Sequence, residues 1–266
     1  MLSHLSKHFL LLDLKTYYTS YKSIIAQIIG AFLSLSIYYY TSKAFGDSFK
    51  DLGVSYFVFV LVGELSLYLA STMFDFPLKT VKQWKSRGIF DYFLTTKISI
   101  FNLIVLRSIC TIPRIFIQIL LQIILAVSFF NLDISFTDVV VIMIFPLFSL
   151  PIFISLGFVA LSIFLFTGRG NSVLGYISTG LSVLAGAYFP LSVLPGWLQR
   201  VGISTPFAQL LEGIRLFIQT NEFSHLFVNT LSLLTWNILG IVLSWFLFQK
   251  AIRFYKENHN RYTYDL

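Results

Sequence analysis

The chain has 266 residues, 56% of them hydrophobic and only 12% charged, with a mean hydropathy of +0.79. Soluble domains carry about 25% charged residues, and a soluble core of this length cannot enclose so much apolar surface, so the matching solvent is lipid. The formal charge of +7 does not imply nucleic acid, because the basic residues sit at the ends of apolar runs, where they set topology.

Residues 3–22 read as an interfacial helix. Leu5, Phe9, Leu12 and Tyr17 recur at roughly helical spacing with Lys7, Asp13, Lys15 and Lys22 between them, a pattern suited to the headgroup plane; a solvated lead-in is the alternative. It does not read as a cleavable signal, since its lysines are spread along a long leader. His4 and His8 stand at i, i+4 but lack a Glu between them in the zinc-protease pattern, and His225 and His259 are isolated, so no metal site is expected. The single cysteine, Cys110, excludes an internal disulfide and a cysteine metal cage.

Six spans are expected, at 24–44, 53–75, 108–130, 138–166, 172–189 and 227–249, against the roughly 20 residues a crossing needs. The fourth is long and contains Pro146 and Pro151, which predicts tilt or a kink. With six spans, Lys43, Lys50, Arg200 and Arg215 fall on one side and the other basic residues on the opposite side. That bias puts both termini in the cytoplasm of a multi-pass plasma (inner) membrane protein. We read one membrane domain over 1–266, all-α, without internal repeats.

Glu64 lies near the middle of the second span. A carboxylate there costs about 2.5–3.5 kcal/mol on insertion scales, so it calls for a partner. Counting rise per residue puts Arg114 at a similar depth and Arg107 nearer the cytosolic face. A Glu64–Arg114 pair is the first expectation and Glu64–Arg107 the second; a neutral Glu64 bonded to Ser or Thr is the alternative. Tyr38, Tyr39 and Tyr40 form an aromatic cluster at the outer end of the first span. They read as an interfacial belt, or as a stacking surface for a sugar or planar drug.

Two connections are long. The cytosolic one, 76–107, carries a basic start, then Gly88, then Ile89, Phe90, Phe93 and Leu94 around Asp91. This predicts a short amphipathic helix over 86–97 with an apolar face for lipid or for a groove on a soluble partner. The external one, 190–226, breaks at Pro190 and Pro195 and carries Trp197, an interfacial residue type. It is either a surface loop or a segment that re-enters the membrane, which physics permits only where protein or water covers the broken backbone.

These strings resemble the type-2 ABC exporter permeases. That family's loop after the second span, Gly-Thr-Leu-Glu-x-Leu-Leu-x-Thr-Pro-x-Ser, aligns with GIFDYFLTTKIS: Gly88 matches, Asp91 stands for the Glu, Phe93 and Leu94 for the apolar pair, and Ser99 for the Ser. Ile89 and Lys97 depart from it. The family's later signature aligns with Gly186, Phe189 and Pro190, then Leu194 and Pro195, Trp197 and Leu198, Pro206 and Arg215. The resemblance implies a coupling helix carrying Arg87, Gly88, Phe90, Asp91, Phe93 and Leu94 that docks on a P-loop ABC ATPase. It also implies an external re-entrant helical hairpin over 190–222, with Gly186, Phe189, Pro190, Pro195 and Trp197 at the exit gate. Two copies, a homodimer or one copy with a similar chain, would form the path, with Gly180 and Gly186 allowing close packing.

The chain has no Gly-x-x-x-x-Gly-Lys-Ser/Thr; TGRGNS at 167–172 lacks the lysine. ATP and Mg are therefore expected in the partner subunit, with no cofactor, catalytic residue or metal in this chain. The cargo expected from a Phe-rich wall is amphipathic or hydrophobic: a drug or natural product, a lipid or a lipid-linked glycan. The rivals are a membrane-embedded lipid enzyme, for which convergent acids and bases are missing, and an ion-driven secondary transporter with Glu64 as proton site, for which inverted repeats are missing.

Overall fold

The computed structural model describes residues 21–45, 55–96, 99–132, 134–167 and 170–264. The expected interfacial helix lies outside these, save its last two residues, and so does Lys97. Every regular element among the described residues is helical. In chain order they are α1 (Tyr21–Phe45), α2 (Tyr56–Ser86), α3 (Ile89–Thr95), α4 (Ile100–Cys110), α5 (Ile112–Phe130), α6 (Phe136–Ile144), α7 (Leu150–Thr167), α8 (Gly170–Leu184), α9 (Gly196–Ile203), α10 (Pro206–Thr220) and α11 (Phe223–Tyr264). Short 3-10 turns lie at Phe145–Ser149 and Leu191–Val193.

Five stretches are long and apolar enough to cross a membrane: Ile24–Ala44, Tyr56–Ser86, Ile100–Phe130, Phe136–Thr167 and Phe223–Glu257. The expected fifth span, 172–189, is not among them. Its helix, α8, has 15 residues and ends at Leu184, a length of about 22 Å against a hydrocarbon core of about 30 Å. The helix stops there because Gly186 takes φ +65 and Pro190 follows. The third span also differs, since helix begins at Ile100, within the stretch expected to lie outside the membrane. Ile100, Leu103 and Ile104 are buried there, so core packing continues the helix toward α3.

α2 is the central element. Ser55 caps it, accepting the Val58 N–H at 3.3 Å, and it packs against α1, α3, α4, α7, α8 and α10. α7 lies between α2 and α11, tied to α4 and α11 by a run of rings in which Phe158 stacks on Phe101 at 4.3 Å and meets Phe248 edge-on at 5.2 Å. The α6–α7 passage is kinked through the 3-10 turn that contains Pro146, with Pro151 just beyond. Asn237 of α11 repairs the kink: its Oδ1 accepts the Ile152 N–H at 3.0 Å and its Nδ2 donates to the Phe148 carbonyl at 2.6 Å.

α10 is capped by Thr205, which accepts from the Ala208 N–H, and buries one face against α2, α11 and α6. Its first turn is deep: Phe207 shares a crevice with Leu67, Ala70 and Phe74 of α2 and Leu181 of α8. Its last turns return to the Tyr56 end of α2, where Arg215 meets Phe59.

Candidate functional site

Most of α2 is enclosed, but one half of its helical wheel is not. Glu64, Tyr68, Ser71, Asp75 and Lys79 recur every three or four residues along this less buried face, with Thr72 beside Ser71, and Gln83 extends it toward Ser86. Polar and ionisable side chains in a membrane helix face a protein interior or a water-filled space rather than lipid. The stripe therefore marks a side of α2 that meets protein or water rather than lipid.

At the Tyr56 end of the stripe, Glu64 Oε2 accepts hydrogen bonds from the Tyr38 hydroxyl at 3.1 Å and the Tyr188 hydroxyl at 3.0 Å. The two rings lie 6.1 Å apart. This corrects the expected pairing with Arg114 or Arg107. Arg114 lines a cleft with Asp75 and Lys79, and Asp75 is roughly 16 Å along α2 from Glu64 at the rise of an α-helix. Arg107 donates to Gln83 Oε1 at 3.1 Å. Counting residues from the expected start of the third span misplaced both arginines, because the helix starts at Ile100.

The three consecutive tyrosines do not act alike. Tyr38 turns to Glu64. Tyr39 packs on Phe57 and Phe130 at 5.7 and 5.0 Å, beneath the Lys43 ammonium. Tyr40 is exposed. Successive positions on a helix point about 100° apart; Tyr39 and Tyr40 still meet edge-on at 5.5 Å, while Tyr38 turns away from them.

Arg215 was legible only as one position of the signature; the structure makes it the clamp of this end. Its Nη1 donates to the Gly186 carbonyl at 3.0 Å, and its Nη2 donates to the carbonyls of Phe59 at 3.0 Å and Ala187 at 3.1 Å. The guanidinium lies 3.4 Å from the centroid of the Phe59 ring. Burial pulls it down from the ordinary arginine value, to about 9, while Glu212 pushes it up; it keeps its charge at neutral pH. The clamp works because the backbones touch. A β-carbon at Gly63 would land on the Ala187 carbonyl oxygen. Gly186 is buried inside this turn, so it is not free to pack against another copy, whereas Gly180 has open space beside it. Phe189 and Pro190 are half-buried, Pro195 opens α9, and Trp197 is exposed.

At the Ser86 end, α3 follows Gly88, whose φ is +67. Its apolar face is not offered outward as expected. Phe90 is fully buried, edge-on to Tyr255 of α11 at 5.5 Å, and Phe93 lies on Trp84 at 4.8 Å. Tyr255 donates to Asp91 Oδ1 at 3.5 Å, and Lys85 sits 4.5 Å from the Tyr255 ring. Leu94 is half-buried beside them, and Arg87, Gly88, Tyr92 and Thr95 form the exposed side. The expected Phe90 contact with a partner is therefore an internal anchor; the extension of α11 to Tyr264, past the expected end at 249, supplies it.

Among the described residues no three His, Cys, Asp or Glu side chains gather into a metal site. The family model described as "ABC-2 family transporter protein" matches residues 25–258. The chain belongs to the ABC-2 transporter family. No curated protein matches it. As an ABC-2 permease, it is a multi-pass membrane protein of a family whose members work with an ABC ATPase. In this permease the described elements place the clamped turn and α3 at opposite ends of one helix, α2, with the polar face between them.

Proposed function

We propose that this ABC-2 permease is the membrane subunit of an ATP-driven exporter, docked through α3 to a separate P-loop ATPase and paired with a second permease copy. The observation that supports this best is the way α3 is anchored. Phe90 and Phe93 fix it to α2 and α11, so a push on its exposed side, at Arg87, Tyr92 and Thr95, moves the helix that carries the polar face. At the other end Arg215 fastens the 185–190 turn to α2, so movement of α2 shifts the exit region around Phe189 and Trp197. In this reading α8 and the turn after it together complete a sixth passage, α9 and α10 form the external re-entrant hairpin, and both ends of the chain are cytoplasmic. The cargo is an amphipathic or hydrophobic molecule.

The test is co-purification and reconstitution with the ATPase subunit. The exporter reading expects a stable complex whose ATP turnover and ATP-dependent substrate movement fall together when Tyr92 or Arg87 is replaced by Ala. Substrate flux that persists without nucleotide and responds to an ion gradient would reject it.

A further inference from the structure

Between α2 and the α4–α5 pair, on the Ser86 side of the polar face, lies an open cleft of about 640 Å³. Among the described residues its walls carry Lys79 from α2, Arg107 and Arg114 from α4 and α5, and the carboxylate of Asp75. That carboxylate is engaged within its own helix, 2.7 Å from Lys79 Nζ. Arg107 is held in place by Gln83 Oε1 at 3.1 Å and by the rings of Phe76 and Trp84, each 5.9 Å away. Thr72, Thr80 and Thr111 add hydroxyl groups, while Tyr68, Phe76 and Ile115 present apolar surface.

We propose that this cleft binds the phosphate headgroup of an anionic amphiphile, with Arg107, Arg114 and Lys79 around the phosphate and Tyr68, Phe76 and Ile115 against the start of its chain. Guanidinium groups bind phosphate through paired, charge-assisted hydrogen bonds. Basic pockets between membrane helices take anionic headgroups, and the cleft has the volume range of small-ligand sites. The guanidinium groups suit an anionic headgroup rather than a cationic one, and the apolar wall selects against a free inorganic anion. A bilayer phospholipid and a phosphate-bearing cargo present the same chemistry here; only the question of cargo rests on the exporter reading.

The experiment uses the full chain in phosphatidylcholine nanodiscs, with spin-labelled phosphatidylglycerol and spin-labelled phosphatidylcholine as probes. The protein-associated fraction should favour phosphatidylglycerol. The Arg107→Gln/Arg114→Gln double variant should reduce that preference about tenfold or more, at roughly the interaction per basic residue known for anionic lipid surfaces. The Arg107→Lys/Arg114→Lys variant should keep most of it, and Arg200→Gln all of it. Asp75→Asn, which removes the opposing charge, should strengthen it about threefold; this variant keeps the test alive if the double variant does not fold. An absent preference in the native chain overturns the proposal, as does a folded Gln double variant that retains it. With ATPase subunits added in proteoliposomes, ATP-dependent movement of phosphatidylglycerol between leaflets makes the amphiphile cargo. A retained preference without movement makes it a resident lipid. An absent phosphatidylglycerol preference in the native chain beside intact ATP-dependent export of another substrate refutes the cleft and leaves the exporter reading standing.

Discussion

Pro146 and Pro151 each remove a backbone donor from the α6–α7 passage, in a solvent that offers no replacement. The Asn237 amide bridges the Phe148 carbonyl and the Ile152 N–H, an i, i+4 pair at the kink, and is itself buried. Asn237→Ala leaves both groups without this partner, and such groups cost about 1–3 kcal/mol each when buried. Thermal unfolding in detergent should show a loss of about 2–4 kcal/mol, and Asn237→Asp, which keeps the acceptor and loses the donor, should fall between. Gly63→Ala tests the clamp at the other end of the molecule. Its β-carbon meets the Ala187 carbonyl oxygen, so the turn must leave α2 and transport should fall sharply. Gly30→Ala, with nothing near its β-carbon, should be neutral or slightly stabilising in the same assays. The kink was readable from its prolines, whereas the residue that repairs it was not, because an asparagine in an apolar run does not reveal which backbone it faces. Glu64 shows the same limit. Its need for a partner follows from its burial in a span, but two tyrosine hydroxyls from α1 and the 185–190 turn meet that need, and only the fold brings them there.

α3 separates anchored from exposed residues within a short helix. Phe90 is enclosed, and removing such a ring costs about 3–5 kcal/mol; Phe90→Ala should lower unfolding stability by that order even with no ATPase present. Tyr92 is exposed, so Tyr92→Ala should leave stability within about 0.5 kcal/mol and lower ATPase association measured by pull-down. Equal losses of stability in both variants would place Tyr92 among the anchors. That a short amphipathic helix follows Gly88 was legible from spacing alone. Which side it turns inward was not, because Tyr255 lies 164 residues beyond Asp91, on a helix that runs well beyond the length a bilayer needs. The segment after α8 was legible in the same partial way. Its two prolines predict breaks, but the burial of Phe207 follows from contacts with α2 and α8.

The whole molecule turns on whether the short α8 counts as a passage. α7 ends among the Ser86-side contacts, with Phe164 beside Lys82 and Lys85 and Phe166 on Phe254. The chain leaving α8 reaches Gly63, Phe59 and Glu64 near the Tyr56 end. α11 then runs from Phe223, packed on Phe217 at 4.9 Å, back to Tyr255 beside Phe90. If α8 and its turn complete a crossing, α9–α10 and α3 face opposite compartments, and the far end of α11 faces the same compartment as α3. If α8 only dips and returns, α9–α10 shares a side with α3, and Lys250, Arg253 and Lys256 in the far part of α11 face outward, against the positive-inside bias. Cys110 is buried and is the only cysteine, so single introduced cysteines can be followed without background. Thr95→Cys, Ser204→Cys and Lys256→Cys fall at exposed positions in α3, between α9 and α10, and near the end of α11. With a membrane-impermeant maleimide on intact cells, Ser204→Cys should label at once, and Thr95→Cys and Lys256→Cys only after permeabilisation. Labelling of Ser204→Cys together with Thr95→Cys only after permeabilisation would reduce the passages to five and separate the two chain ends. α3 and the end of α11 could not then meet on one side as Phe90 and Tyr255 do, so the same result would also count against the lever that joins a docked ATPase to α2.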